Sequence, residues 1–264
     1  MLLPKNSTTI NRFLRYDKAH TQPAIVIDNN DPKGMGRVQV QMAWQRYENT
    51  RTPWLRVTNP HAGGGKGMYF IPENGEEVLV AFENDNAEKP YIQGTMYNGN
   101  QTSGYNTTGN DKKVIQTRSG TKIIMNDAIG SVFIEDPSGN TWMMDGKGNI
   151  SVNAPNTISM NATDIIITAS KNISSNAGMN ISESAGIDKN SSVGMMHNLF
   201  VGGNSIMNVK GDLIEYISGN LESKTEKDRI TNSKKGIESS IEGSSSKHAK
   251  KDMNLNSAEK SKLF

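Results

Sequence analysis

The sequence contains no cysteine, which excludes disulfide staples and thiolate metal sites and leaves the redox compartment open. Aromatic residues make up 6% and hydrophobic residues 34% of its 264 positions, and the mean hydropathy is −0.60. A compact globule of that length needs large apolar side chains for its core, so this composition is thin for one. The shortage is uneven, because Trp44, Trp54, Trp142 and most of the Tyr and Phe precede residue 150. An excess of one charge is also lacking, the formal net being +2, which argues against a dedicated nucleic-acid surface. No continuous apolar run stands at the start, MLLPKNSTTINRFLRYDKAH, or later. Neither a signal peptide nor a membrane span is therefore expected.

What is present first is a series of short β-type runs separated by turn residues. They are AIVID (24–28), GRVQVQMAW (36–44), PWLRVTN (53–59), MYFIP (68–72), EVLVAFE (77–83) and KPYIQGTMYN (89–98). Val38, Val40 and Met42 alternate with Arg37, Gln39 and Gln41, the period of a half-buried strand. Between the runs lie DPKGMG, HAGGGKG, PENGE and NDNAEK, rich in residues that accept turn geometry. Five or six such strands fit a small Greek-key barrel of the oligonucleotide/oligosaccharide-binding (OB) type.

That barrel type does not fix a function. Arg37, Arg46, Arg51, Arg56 and Lys66 could face a nucleic acid, but Glu48, Glu73, Glu76, Glu77 and Glu83 are interleaved with them. Gly63-Gly64-Gly65-Lys66 lacks phosphate-loop spacing and precedes a strand, so it reads as a flexible loop. Glu73 with Glu76 or Glu77 pairs carboxylates as a glycosidase does, yet these residues fall at a predicted turn where solvated charge is the normal occupant. His20, His61, His197 and His248 have no ligand-like spacing.

The stretch GRVQVQMAW, then TPWLRVTNPHAGGGKGMYFIPENGEEVLVAFENDNAEKPYIQGTMYNG, resembles the barrel domain of VgrG proteins. These are the spikes of type VI secretion, related to the central spike of contractile phage tails. The resemblance is carried in order by Trp54-x-Arg56-Val57, Ala62-Gly63, Phe70-Ile71-Pro72, Gly75-Glu76-Glu77-Val78, and Pro90 before Gly94. One departure is Asn84-Asp85-Asn86, where the family usually has a Gly-Asp-Pro turn.

The second half is a repeat. ISVNA (150–154), ISMNA (158–162), IIITA (165–169), ISSNA (173–177) and ISESA (181–185) start 8, 7, 8 and 8 residues apart. From Ala169 a register of eight runs on, through ASKN, AGMN, AGID, VGMM, VGGN, VKGD and ISGN, to SAEK at 257. The octads open on a small or β-branched residue, often with Gly second or third and most often Asn or Asp fourth, residues that take positive φ at low cost. The rest of each octad reads as one short alternating strand. Because eight is even, odd positions keep facing one way, and the single step of seven near Asp164 flips that parity. A bulge or tight corner is expected there. The inward set is then Ile150, Val152, Ile158 and Met160 before the flip. After it come Ile165, Ile167, Ile173, Ile181, Val193, Leu199, Val201, Val209, Leu213, Ile217 and Ile241. One chain cannot offset a backbone ordering cost of roughly 1–2 kcal/mol per residue with so few apolar groups, and its strand edges would stay bare. Several chains are required.

The octads resemble the intertwined three-chain needle of VgrG proteins, three being the family's number. Residues 113–154 resemble the VgrG segment leading into that needle, through Ser119-Gly120, Asp136-Pro137-Ser138-Gly139-Asn140 and Gly148-Asn149-Ile150. The expected fold is all-β, a small OB-type barrel followed by a trimeric intertwined β-helix whose core is the inward set. The expected divisions are 1–22 as a linker from a missing or separate base, 23–98 barrel, 99–112 linker, 113–149 neck and 150–264 needle. The resemblance implies a mechanical spike with no catalytic residue, cofactor or metal. Its implied partners are two further copies of itself, a tube protein at the base, a PAAR-like tip protein at the C-terminal end and effector cargo, with no nucleic acid. The implied location is the bacterial cytoplasm on the sheath–tube apparatus, followed by secretion or injection. A trimeric phage-tail or surface adhesin that binds glycans through the barrel is the rival, and it requires exposed loop aromatics. Only Trp44, Tyr47 and Trp54 are available, and they read as strand residues.

Overall fold

The computed structural model describes residues 18–254 and Asn256. Most of the expected leading linker 1–22, together with Leu255 and the end of the repeat, lies outside the described residues. The chain divides into two compact units, Met1–Ile173 and Ser174–Phe264.

The first unit begins with β1 (Gln22–Asp28) and β2 (Gln39–Met42). A small arm follows, β3 (Ala62–Gly63) with β4 (Lys66–Gly67), and then β5 (Glu77–Phe82) and β6 (Pro90–Thr95). Four of these strands form an antiparallel sheet in the order β2-β1-β5-β6. The segment around Leu55 closes it. Val38 of the chain entering β2 exchanges both amide bonds with Leu55, at 3.0 and 2.8 Å, while the Ile92 amide of β6 donates to the Arg56 carbonyl at 2.8 Å. Val57 bridges Ile92 in parallel. One segment thus joins both edges of the sheet, which removes the open edges and makes a five-stranded barrel of OB type.

The alternation read in β2 packs as expected: Val38, Val40 and Met42 are buried with Ala24, Val26, Leu55, Val78, Val80 and Ile92. No aromatic side chain is among these buried residues, though Phe82 packs against them from partial burial, since a barrel this narrow is filled mostly by short aliphatic residues. Trp44 and Tyr47 depart from the expected strand placement. Trp44 sits in a 3₁₀ turn over Ala43–Arg46 with Tyr47 at its end, and both side chains are exposed. Residues 68–72 also form no strand, because Met68, Tyr69 and Phe70 face solvent and follow the arm rather than a sheet edge. The glycine loop expected at 61–67 carries a two-residue ladder, Ala62–Gly67 and Gly63–Lys66. At the departure from the family turn, Asn84 and Asp85 hold φ of 52° and 60°, a conformation that Asn and Asp tolerate beyond other non-glycine residues.

Behind the barrel runs a meander of β7 (Lys112–Gln116), β8 (Lys122–Asn126), β9 (Ser131–Glu135), β10 (Thr141–Met144) and β11 (Ile150–Asn153), each paired with the next. Its last two hairpins use matched turns. The Asp136 carboxylate accepts the amides of Ser138 and Asn140, and Asp145 accepts those of Lys147 and Asn149. The segment between barrel and meander is pinned at both sides. Asn98 donates to Glu77 at 2.8 Å, Gln101 to the Gly75 carbonyl at 3.1 Å, and the Tyr105 hydroxyl to Gln116.

Beyond Asn153 the described chain has neither a strand nor a backbone ladder. In the first unit it bends at 155–156, at Thr163 alone and at 170–171. In the second unit, two-residue bends recur every eight positions from 178–179 to 250–251. These bends coincide with the second and third positions of the octads. Thr163, the single-residue bend, lies at the seven-residue step. The turn chemistry differs from the expected one: among the described residues none after Gly148 has φ in the left-handed region. A gentle change of direction, unlike a reversal closed by a hydrogen bond, needs no left-handed residue.

Candidate functional site

The meander builds a surface that a single chain leaves open. Cross-strand partners share a face, and residues two apart on a strand point the same way. One row runs Lys113, Met125, Val132, Met144, Ile150 and another runs Ile115, Ile123, Ile134, Trp142, Val152. Both lie on one face, so nine of its ten side chains are apolar. The opposite face has one apolar-rich row, Val114, Ile124, Phe133, Met143 and Ser151, beside the polar row Gln116, Lys122, Glu135, Thr141 and Asn153. Lys122 and Glu135 form an ion pair of 2.6 Å within that polar row. The larger exposures collect on the apolar face, where Ile115, Ile134, Trp142 and Val152 each keep between 40% and 47% of their surface open. Burying what remains open would contribute on the order of 5–10 kcal/mol per chain.

Sequence reading missed this surface. KVIQ, KIIM, VFIE and TWMM carry consecutive apolar residues, so alternation alone cannot say which side is buried. Only the register aligns them. Ile150 and Val152, which the octad parity placed inward, end the two apolar rows.

The other residues of the inward set lie along the unpaired chain. All fifteen stay exposed here, from 42% at Val201 to 77% at Leu199, and none is covered by its own chain. Their even-numbered neighbours are more exposed still: Ile166 at 87%, Phe200 at 95% and Tyr216 at 94%. Odd-numbered residues on the bends are exposed as well, Met179 at 91%, Ile187 at 94% and Met195 at 100%, so parity separates exposure only between the bends.

Six of the charged candidates hold hydrogen-bond or ion-pair partners. Glu73 accepts from Arg118 at 3.0 Å, Glu76 accepts the Glu73 amide at 2.9 Å, and Glu77 holds Asn98. Arg37 forks onto Asp31 at 2.9 and 2.6 Å, and Arg56 meets Glu83 at 2.6 Å. The Asp31 carboxyl lies well below its ordinary range, chiefly through the Arg37 bonds and also through amides of the same loop. Asp136 is held at about 2, first by Ser138 and then by Asn140. A shallow cleft of about 330 Å³ is lined by Arg56, Val57, Thr58, Glu83 and Tyr91, where the carboxylate is already paired. Among the described residues no three His, Asp or Glu side chains gather as a metal site would need. His197 and His61 are exposed. No described helix is long and apolar enough to cross a membrane.

Fold and surface together define an OB-type barrel followed by a β-meander with one apolar face. Residues 22–97 match the family described as the type VI secretion system/phage-baseplate injector OB domain. The chain is 35% identical over 111 residues to the type VI secretion system spike protein VgrG1c of Pseudomonas aeruginosa, covering 38% of this chain and 14% of that one. It is 32% identical over 132 residues to VgrG1a of the same organism, covering 45% and 19%. With the actin cross-linking toxin VgrG1 of Vibrio cholerae it shares 30% identity over 107 residues, 39% of this chain and 10% of that protein. Over these stretches the chain is similar to the VgrG-type spike proteins of type VI secretion. It spans less than a fifth of the length of these relatives.

Proposed function

We propose that this chain is the barrel and shaft of a puncturing spike, and that three copies wind together to make it. The observation that carries the reading is the pair of uncovered features: an apolar sheet face, and about a hundred following residues with no backbone partner in their own chain. An unpaired strand segment with apolar side chains in water is unstable by itself, and wrapping copies around one another removes both defects. Small inward residues such as Ala169, Ala177 and Ala185 suit a narrow axis, and the polar outward ones suit a solvated rod. The barrel would sit toward a tube protein at the base. The C-terminal end would carry a PAAR-like tip, with effectors borne on the assembly. It would be built in the bacterial cytoplasm on the sheath–tube apparatus and driven outward.

The mechanism is mechanical. A rod whose backbone groups are all paired between chains transmits force without bending, and no reacting group is required. The cross-linking activity named for the Vibrio relative is not proposed here, since the similarity covers 10% of that protein. A glycan adhesin is not favoured, because the relatives bear spike names.

Light scattering on the intact chain tests the reading. A stable mass of three times 28.9 kDa that survives detergent without heating is expected. A monomer with the spectrum of a disordered chain would overturn the three-chain shaft and leave only the barrel assignment.

A further inference from the structure

Charge is distributed unevenly along the octads. Residues 190–209 contain no Asp, Glu, Lys or Arg. Residues 210–226 carry two basic residues against four acids, a net of −2. Residues 227–251 reverse the sign, with seven basic residues against three acids, a net of +4. Five of those seven, Lys227, Lys234, Lys235, Lys250 and Lys251, fall on the bends at 226–227, 234–235 and 250–251. A strand turns every second side chain inward, but both residues of a bend stand at an edge of the path. All five are exposed, and no ion pair among the described residues engages them.

We propose that residues 227–251 form a basic collar that binds an anionic phospholipid surface through headgroup phosphates. This rests on the three-chain shaft proposed above, in which each bend recurs on three edges at one height. A ring of ammonium groups suits a surface that surrounds the shaft, as a pierced bilayer does. The residue types agree. Six of the seven basic residues are lysines, compact point charges suited to phosphate. Single-stranded nucleic acid would want aromatic platforms between the charges, and residues 217–254 hold no Phe, Trp or Tyr. An anionic leaflet rewards each nearby lysine by about five-fold in affinity, within a Debye length.

The test is co-sedimentation of the full chain with vesicles rich in phosphatidylglycerol, against vesicles of phosphatidylcholine alone. Binding is expected to the first only, and to vanish near ~1 M salt, where the Debye length falls to about 3 Å. Replacing Lys234, Lys235, Lys250 and Lys251 by Gln should weaken it at least about a hundred-fold. Replacing Lys33, Lys66, Lys112 and Lys147 by Gln removes the same charge from the first unit and should leave binding within a few-fold. Equal loss in both variants would reduce the effect to net charge and overturn the collar. So would equal binding to neutral vesicles, or retention of duplex DNA or an acidic protein with no vesicle binding. Light scattering on each variant separates the two proposals. A trimer that ignores anionic vesicles sinks the collar alone, whereas a monomer that binds through these lysines sinks the three-chain shaft and the ring with it, leaving only the lysine–headgroup contact.

Discussion

Gly146 holds φ at +74° in the turn between β10 and β11, and a Cβ placed there would run into the Ile129 carbonyl oxygen. Two costs add at this residue, an unfavourable backbone conformation and a backbone clash that no rotamer relieves. Gly146→Ala should destabilise the first unit by about 2–3 kcal/mol in chemical denaturation. Gly148→Ala, where nothing lies within 4 Å, should cost less. Asp31 works differently. Its carboxylate closes the loop 31–37 by accepting the amides of Lys33, Met35 and Arg37 as well as the guanidinium. Its depressed pKa means that the stabilisation is complete above the ordinary value of 3.8 and is lost as pH falls through the lower folded value. Asp31→Asn should therefore lower the barrel Tm at neutral pH, and the gap from the parent should shrink on acidification below pH 3.8. A gap that is constant with pH would show that the loop is held by something other than this charge.

At the scale of elements, the meander makes the sharper prediction. Ile134 sits in the apolar row with Ile123 and Trp142, and Glu135 beside it points to the other face. If the apolar face is covered by neighbouring copies, Ile134→Ala costs about 2–5 kcal/mol per chain and lowers the trimer's melting temperature. If the face stays in water, the change falls within about 0.5 kcal/mol. Glu135→Ala should do little in either case beyond the loss of a half-exposed ion pair. The octads were legible in the sequence because their period is strict. The structure repeats that period as bends, while the meander's two faces were hidden by apolar residues on both sides of each strand.

For the whole molecule, sequence and tertiary structure decided different things. The sequence by itself determined the all-β character of the first part, the buried alternation of Val38, Val40 and Met42, and a repeat of eight with one step of seven. These are local properties: side-chain direction along a strand and turn chemistry repeat wherever the residues do. Only the tertiary structure decided that one segment, Leu55–Val57, closes the barrel by touching both the chain entering β2, at Val38, and β6. It alone showed that Trp44 and Tyr47 stay outside the core, and that the rows through Ile134 and Met125 make one apolar face. Those facts depend on register and on contacts between residues far apart in the chain. No local pattern encodes them, because a shift of one position would turn every side chain of a strand to the other face.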